Sequence, residues 1–232
     1  MGTVQDTGSA AVVLLSGGLD SATVAAWLRR EGFRVLGLSV DYGQRHRAEL
    51  EAARRLAPLL GLEEHRILRL DLAAFGGSAL TDPALEVPKA AGPLEPVAAD
   101  IPVTYVPARN LVFLSLATAF AEARGIHDLG LGVNALDYSG YPDCRPEFLE
   151  AFLEAVRRGT RAGAEGRRFR IHAPLLHLRK REILELAREL GVPVEQTLSC
   201  YDPSPAGEPC GRCDACRLRQ RAEAETEGRL QP

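Results

Sequence analysis

The sequence lacks both a long apolar run and a concentrated basic segment. No stretch of its 232 residues approaches the roughly eighteen consecutive apolar residues that cross a bilayer, and the polar start MGTVQDTGSA has no basic region of the kind that opens a secretory signal. The 28 basic and 31 acidic residues are spread along the chain, whose net charge is −3. Extended contact with a polyanion usually needs clustered positive charge. We therefore expect no membrane partner, no nucleic-acid partner and a cytoplasmic location.

Cysteine is scarce and unevenly placed. Of five cysteines, Cys144 stands alone and the other four fall within residues 200–216, which is not how a secreted disulfide framework distributes its bridges. The four have the spacing C-x9-C-x2-C-x2-C, and short C-x2-C loops present neighbouring corners of a tetrahedral zinc site. We expect a closed structural Zn²⁺ site; an iron–sulfur cluster and free or redox-active thiols are the alternatives. The expected ligands are Cys200, Cys210, Cys213 and Cys216.

Short apolar runs alternate with helical patterns along most of the chain. Continuous runs, as in strands covered on both faces, lie at 12–15, 35–40, 66–70 and 128–133. Helical periodicity lies at 20–31, 46–60, 108–124, 146–158 and 179–190. This alternation predicts an α/β fold with a doubly wound, mostly parallel sheet.

Composition divides the chain into two predicted units. The α/β pattern occupies residues 1–191, whereas Pro, Gly and Cys dominate the start of a small helical and loop extension at residues 192–232. The charged tail after Arg217 is expected to be frayed. Residues 71–104 are rich in Gly and Pro. An irregular stretch of that length predicts a functional lid or a disordered insertion.

The hexapeptide SGGLDS stands where the first predicted strand meets the first helix. Gly17 and Gly18 permit a tight turn with close backbone approach, and the helix N-terminus directs free N–H groups and its positive dipole end to the same place. Ser16 and Ser21 add hydroxyl donors, so the junction suits a pyrophosphate. A Walker loop would need a lysine after the glycines, and a dinucleotide-binding fingerprint would need a third glycine. The hexapeptide has neither. A turn capped by Ser and Asp is the simpler alternative.

The hexapeptide resembles the SGGxDS loop of the N-type ATP pyrophosphatases, the PP-loop superfamily. That resemblance implies attack at the α-phosphate of ATP, with pyrophosphate leaving. The stretches DYGQRHRAEL, PARNLVFLS and GVNALDYSGYPDCRPEF and the cysteine tail extend the match over about residues 15–217, and together they resemble the QueC family of 7-cyano-7-deazaguanine (preQ0) synthases of queuosine biosynthesis.

The family resemblance implies a fold and a reaction. The fold would be Rossmann-like, of the adenine nucleotide α-hydrolase type. The enzyme would be an ATP-dependent ligase that converts 7-carboxy-7-deazaguanine and free ammonia into the nitrile through an adenylylated carboxylate and an amide. Synthetases of this type often pair, so a homodimer is expected.

The resemblance also implies roles for particular residues, with Mg²⁺ expected near Asp20. The catalytic candidates are Ser16, Asp20, Ser21, Arg109 and Lys180. The ATP contacts would come from Leu15, Ser16, Gly17, Gly18, Leu19, Asp20, Ser21, Ala22, Thr23, Tyr42, Gln44, His46, Arg109 and Asn110. A guanine-like ring presents N–H donors, for which a carboxylate is the complementary acceptor. The substrate candidates are Asn134, Asp137, Tyr138, Tyr141, Asp143 and Arg145.

Several polar candidates have structural alternatives. Arg109 opens a helix, where the dipole gives a cation no benefit, so an anion or carboxylate explains it better. Asp143 is equally well explained as an N-cap before Pro146, and Lys180 as a solvated surface charge. Arg179 stands where the family commonly has Thr or Ser, which weakens a hydroxyl role there but leaves Lys180 unaffected.

Two other functions are considered. A tRNA-thiolating or lysidine-forming member of the superfamily would favour cysteines near the nucleotide pocket or a basic face, and the acidic balance argues against it. A non-catalytic adenine-nucleotide sensor with a zinc tail for binding macromolecules would leave NALDYSGYPDCR unexplained, because a sensor needs no second substrate pocket.

Overall fold

The computed structural model describes residues 9–89, 101–134 and 140–228. Two of the predicted substrate residues, Asp137 and Tyr138, lie outside the described residues, as does the part of the predicted lid at 90–100.

Strands and helices alternate through these three ranges. The strands are β1 Ala10–Leu14, β2 Arg34–Asp41, β3 Glu64–Arg69, β4 Asp128–Gly130 and β5 Arg170–His172. The helices are α1 Leu19–Arg30, α2 Ala48–Leu59, α3 Arg109–Glu122, α4 Pro146–Gly159, α5 Arg161–Ala164, α6 Lys180–Glu189 and α7 Asp214–Thr226. Single 3-10 turns occur at Ala73–Phe75, Pro142–Cys144 and Val194–Gln196.

The five described strands form one sheet in the order β3-β2-β1-β4-β5, and every neighbouring pair is parallel. The chain adds β2 and β3 on one side of β1 and then crosses to place β4 on the other side. The order therefore reverses next to β1, and ligands of doubly wound folds bind outside the carboxyl ends of the strands at such a point. The predicted doubly wound parallel sheet is confirmed.

The central strand β1 divides the core into two layers. Ala11, Val13 and Leu15 pack with α1, α2 and α6 on one face. Val12 and Leu14 pack with α3, α4 and the facing residues of β2 on the other. Because successive side chains of a strand point to opposite faces, a continuous apolar run is what a strand covered on both sides requires.

Helix α1 begins directly at the SGGLDS turn and has the local signals of a stable helix. Asp20 lies in its first turn and Arg29 and Arg30 in its last, so each charge opposes the nearer end of the helix dipole. Gly32 follows with φ of +87°, a backbone conformation suited to ending a helix.

Two regions differ from the sequence-based expectation. The strand β5 was not predicted, because its three residues include two charged or polar side chains that pair with the buried Asp128 carboxylate: Arg170 Nε at 2.8 Å and His172 Nε2 at 2.7 Å. The expectation of a frayed tail after Arg217 is wrong as far as residue 226, since α7 continues to there. Its Ala222 is buried in the same apolar cluster as Leu184 of α6.

The described parts of the predicted lid form an ordered irregular layer. The Ala79 amide donates to the Val103 carbonyl at 2.9 Å, and Ser78 and Ala79 are fully buried. Ordered packing at 71–89 and 101–104 argues against a disordered insertion for these residues, and a role as a lid stays a prediction.

The turn at Gly17 generates a prediction about stability. Gly17 has φ of +90°, and a Cβ there would overlap the Glu49 carbonyl oxygen and lie 2.8 Å from the Ala53 nitrogen. We expect Gly17→Ala to lower the free energy of unfolding in urea by at least about 2 kcal/mol more than Gly32→Ala. Gly32 is the matched control, because its φ is +87° but a Cβ there meets nothing within 4 Å. Equal losses would contradict the close packing of α2 against the turn.

Candidate functional site

A cavity of about 270 Å³ opens at the carboxyl edge of the sheet, beside the SGGLDS turn. The predicted site residues that line it are Leu15, Ser16, Gly18, Leu19, Asp20, Ser21, Tyr42, Gln44, Arg109, Asn110, Asn134, Tyr141 and Lys180. They come from segments that follow β1, β2 and β4 and from the first turns of α3 and α6. The parallel sheet brings these segments together because the carboxyl ends of its strands meet at one edge.

The SGGLDS turn holds its two hydroxyls close together. Ser16 Oγ and Ser21 Oγ lie 3.0 Å apart. The Gly18 amide donates to Ser16 Oγ at 3.2 Å, and Ser21 Oγ donates to the Gly18 carbonyl at 3.1 Å. Gly18 occupies the N-cap position of α1 and has no side chain to cap the helix. The turn thus combines hydroxyl groups with a helix N-terminus, which is an arrangement that favours anions.

The turn is joined to α6 and to the loop after β4 by the carboxylate of Asp20. Lys180 Nζ donates to both oxygens of Asp20, at 2.6 and 2.8 Å. The Asn134 side-chain amide donates from Nδ2 to Asp20 Oδ2 at 2.8 Å. The side chains of Lys180 and Asp20 are only 15% and 17% exposed. Lys180 is therefore a cation of the cavity wall, and the alternative of a solvated surface charge does not describe its position.

A second group of charges lies at the start of α3. The Arg109 guanidinium lies beside the Tyr42 hydroxyl. Burial raises the pKa of Tyr42, and the Arg109 charge opposes that rise. Burial also raises the pKa of Glu49 to about 7, again against the opposing charge of Arg109. Burial thus weakens the ionisation of two acidic groups beside the Arg109 cation, which leaves more of its positive charge for an anionic ligand.

The carboxylate of Asp143 is engaged by the backbone at the start of α3. The Asn110 amide donates to Asp143 Oδ2 at 2.8 Å, and the Asn110 side chain donates to the Asp143 carbonyl at 3.3 Å and to Cys144 Sγ at 3.1 Å. Asp143 thus stabilises the N-terminus of α3, whereas the structural alternative drawn from the sequence was a cap on the helix that begins at Pro146. Cys144 is buried and lines the cavity.

Some predicted residues lie away from the cavity wall. Gly17 faces α2, and Ala22 and Thr23 are buried inside α1, where the Thr23 hydroxyl donates to the Leu19 carbonyl. The His46 ring lies beside the backbone of Tyr201 and Cys200 in the tail, and its burial lowers its pKa. Arg145 occupies the N-cap position of α4.

Other lining residues were not anticipated from the sequence. They include Ser39, Glu49, Thr104 and Ser199. Thr104 Oγ1 lies 2.9 Å from the Tyr141 hydroxyl, and Ser39 Oγ donates to the Leu15 carbonyl. No local motif marks these residues, because each reaches the cavity through contacts with a distant segment.

The four cysteines of the tail converge as their spacing predicted. Their sulfur atoms all lie within 4.8 Å of one another, and three of the four residues are buried. Backbone amides of Asp202 and Cys210 point at Cys200 Sγ, at 3.4 and 3.2 Å. Burial, with the neighbouring Cys213 also contributing, raises the pKa of Cys200 to about 11. A cation at the centre would favour the thiolate form, so this donor set fits a tetrahedral metal ion.

Comparison with known proteins identifies relatives over most of the chain. The family model described as "Queuosine biosynthesis protein QueC" matches residues 10–227. A 7-cyano-7-deazaguanine synthase of Thiobacillus denitrificans is 60% identical over 210 residues, which cover 90% of this chain and 91% of that protein. One from Rhodopirellula baltica is 55% identical over 227 residues, covering 96% and 90%.

Solved structures resemble the fold at low identity. The NMN synthetase of Francisella tularensis aligns with a TM-score of 0.50 and 19% identity over 97% of this chain and 79% of that one. A predicted tRNA methyltransferase subunit of Methanocaldococcus jannaschii aligns with a TM-score of 0.50 and 17% identity over 78% and 76%. These likenesses concern the fold alone.

The chain is therefore a doubly wound α/β protein with a glycine turn after its central strand and a C-terminal cluster of four cysteines suited to a metal. Within that class, the chain belongs to the QueC family. The expectation of an enzyme of this family is confirmed. Among the helices of the described residues, none has the length and apolar character needed to span a membrane.

The raised pKa of Glu49 predicts a pH dependence of stability. A carboxyl group whose pKa rises from 4.5 to about 7 on folding binds more protons in the folded state. Its contribution to stability is complete below the unfolded pKa and is lost as pH rises through about 7. We expect Glu49→Gln to be more stable than the parent above pH 7, by roughly 1–2 kcal/mol after allowance for solvent at this half-buried group. The difference should shrink towards pH 4.5; urea unfolding across this range measures it, and parallel profiles would contradict it.

Proposed function

We propose that the chain is an ATP-dependent 7-cyano-7-deazaguanine synthase acting on 7-carboxy-7-deazaguanine and ammonia. The observation that carries the proposal is the bonding of Asp20 to Lys180 and Asn134, which joins the SGGLDS turn, α6 and the loop after β4 around one cavity. Relatives at 55–60% identity are 7-cyano-7-deazaguanine synthases, which supports the same product.

The first step activates a carboxylate, which is a poor electrophile until one of its oxygens becomes part of a leaving group. A substrate carboxylate oxygen attacks the α-phosphorus of ATP, the bond to the bridging oxygen breaks, and pyrophosphate leaves. Ser16, Ser21 and the N-terminal amides of α1 are placed to hold the departing phosphates. Ammonia then attacks the acyl carbon, loses a proton and expels AMP to give the amide.

The second step removes the amide oxygen and uses the same chemistry again. The amide oxygen attacks the α-phosphorus of a second ATP, and pyrophosphate leaves. Loss of the two N–H protons and departure of AMP then give the nitrile. Both steps transfer an adenylyl group from ATP to an oxygen of the substrate. A single nucleotide site at the SGGLDS turn therefore suffices for the whole reaction.

In this proposal the catalytic residues stabilise the negative charge of the ATP phosphates. Lys180 and Arg109 lie in the cavity wall as cations for phosphate oxygens. Asp20 is the carboxylate at the loop that would hold Mg²⁺, which when bound neutralises phosphate charge. In the structure this carboxylate is paired with Lys180. When Mg²⁺ and ATP bind, Asp20 would bind the metal ion in place of Lys180, and Lys180 would bind phosphate in place of Asp20.

The deazaguanine is proposed to bind on the side of the cavity formed by the loop after β4. Asn134 and Tyr141 line that side, and Thr104 contacts Tyr141 there. Asp137 and Tyr138 belong to the same loop in the sequence and stay candidate ring contacts. The engagement of Asp143 with α3 favours a role for this residue in shaping the pocket. Arg145 also stays a candidate for substrate charge.

The cysteine cluster is proposed to hold zinc. Four thiolates complete a tetrahedral site, so the metal would have a structural role with no open position for substrate. Reduced thiols of this kind are typical of a reducing compartment, so the proposal includes a cytoplasmic location. We also propose a homodimer, with free ammonia as the nitrogen donor and no nucleic-acid partner.

An assay with the purified protein tests the reaction. With ATP, Mg²⁺, ammonium and 7-carboxy-7-deazaguanine we expect the nitrile in mass spectra, with about two AMP and two pyrophosphate formed per nitrile because each activation cleaves at the α-phosphate. ADP and inorganic phosphate as products would contradict the chemistry assigned to the loop. Turnover with tRNA, or none, would overturn the proposed function.

The same assay with the variant Lys180→Met tests the role of Lys180. We expect it to lower kcat/KM by a factor of about a hundred or more, since a cation aimed at the transferring phosphates is lost. Arg181→Met is the matched control: Arg181 is the next residue of α6 and pairs with Glu185 on the surface, so its activity should be unchanged. Equal effects of the two substitutions would exclude a specific role for Lys180.

Metal analysis tests the zinc assignment. We expect about one zinc per chain, and Cys216→Ala should lose most of it with a fall in Tm of at least about 5 °C. Cys144→Ala is the matched control and should keep its zinc, because Cys144 lies outside the cluster. Iron with visible absorbance in the purified protein would show instead that the cluster holds iron and sulfur.

A further inference from the structure

The N-terminus of α1 receives a side-chain partner from the far end of the chain. The N-cap position of α1 is Gly18, which offers no side chain to the helix. The Leu19 amide donates instead to the hydroxyl of Ser199 at 3.4 Å, across 180 residues of sequence. Ser199 also lines the cavity. Its hydroxyl therefore stands with Ser16 and Ser21 at the place where the turn would meet phosphate.

The backbone on either side of Ser199 is held at two points. On one side, the Leu198 amide donates to the Gly17 carbonyl at 2.9 Å, so the chain is bonded directly to the turn. On the other side, the next residue is Cys200, whose sulfur belongs to the four-cysteine cluster. Cys216 Sγ also lies 3.8 Å from the Ser199 carbonyl oxygen. A single peptide segment thus connects the four-cysteine site to the phosphate turn.

The contacts after Cys200 extend the same segment to other walls of the site. The His46 ring, in the loop after β2, lies beside the backbone of Tyr201 and Cys200. Asp202 pairs with Lys89, at 2.6 Å, in the irregular layer beside the cavity. A shift of Cys200 would therefore move a segment that touches the turn, the loop after β2 and this layer together.

We infer that Ser199 is a third hydroxyl of the phosphate turn and that metal binding at the four cysteines holds it in place. This inference rests on the proposed function, since it assumes that ATP phosphates bind at SGGLDS. The four-cysteine site is then coupled to the nucleotide site through the segment from Leu198 to Cys200. Metal bound at the four cysteines raises the affinity for nucleotide. Ser199 is a binding residue, and Cys200 is a positioning residue that acts through it.

The first test measures nucleotide affinity in the metal-loaded protein as purified. The probe is the ATP analogue with a methylene group between the α- and β-phosphates, in excess Mg²⁺, measured by titration calorimetry. We expect Ser199→Ala to weaken binding about tenfold, the size of one lost hydrogen bond to a charged group. Ser204→Ala is the matched control, because Ser204 Oγ also accepts a backbone amide in the tail, from Glu208 at 3.1 Å. Its affinity should equal that of the parent.

The second test uses the reciprocity of coupled binding. If metal strengthens nucleotide binding, nucleotide must strengthen metal binding by the same factor. Competition with a chelating dye should show the analogue raising metal affinity about tenfold in the parent and in Ser204→Ala, and less than about twofold in Ser199→Ala. This measurement starts from folded, loaded protein and needs no metal-free sample.

The outcomes separate this inference from the proposed function. If the parent binds the analogue and Ser199→Ala matches the parent in both tests, the role of Ser199 is overturned while the proposed ATP site stands. If Ser199→Ala loses affinity but keeps the full coupling to metal, the link through this segment is overturned. If the parent itself does not bind the analogue, the proposed function and the inference both fail.

Discussion

The close backbone contact at Gly17 is the constraint on which the site depends. Its positive φ and missing side chain let the backbone of α2 lie against the turn, and its carbonyl oxygen accepts the Leu198 amide from the tail. One residue thus joins the central strand, α2 and the C-terminal extension. A side chain at this point would separate these three elements, and with them the walls of the cavity.

The electrostatics of the cavity follow from its place at the edge of the sheet. Lys180 and Asp20 are mostly withdrawn from water and satisfy each other, as a part-buried ion pair must. Burial raises the pKa values of Glu49 and Tyr42 next to Arg109. Positive charge held in a region of low dielectric acts strongly on an incoming anion, which agrees with the proposed reaction, since that reaction consists largely of moving phosphate charge.

The C-terminal extension is integrated with the α/β body by specific contacts. The Arg219 guanidinium donates to the Thr197 and Val194 carbonyl oxygens, at 2.9 and 2.8 Å, and so ties α7 to the chain that precedes the cysteines. Ala222 shares an apolar cluster with α6. The division of the chain at residues 191 and 192 stays a prediction, and the packing of Ala222 against α6 shows that the two parts share one apolar cluster.

Local pattern by itself determined much of this protein: the continuous apolar runs of the inner strands, the anion turn SGGLDS and the convergence of four cysteines were all readable from neighbouring residues, because each is a short-range feature. Tertiary structure decided the rest. The pairing of Lys180 with Asp20, the engagement of Asp143 with α3 and the arrival of Ser199 at the turn join segments far apart in the chain. Such contacts depend on how the sheet orders its strands and brings their ends to one edge, and no local spacing encodes that order.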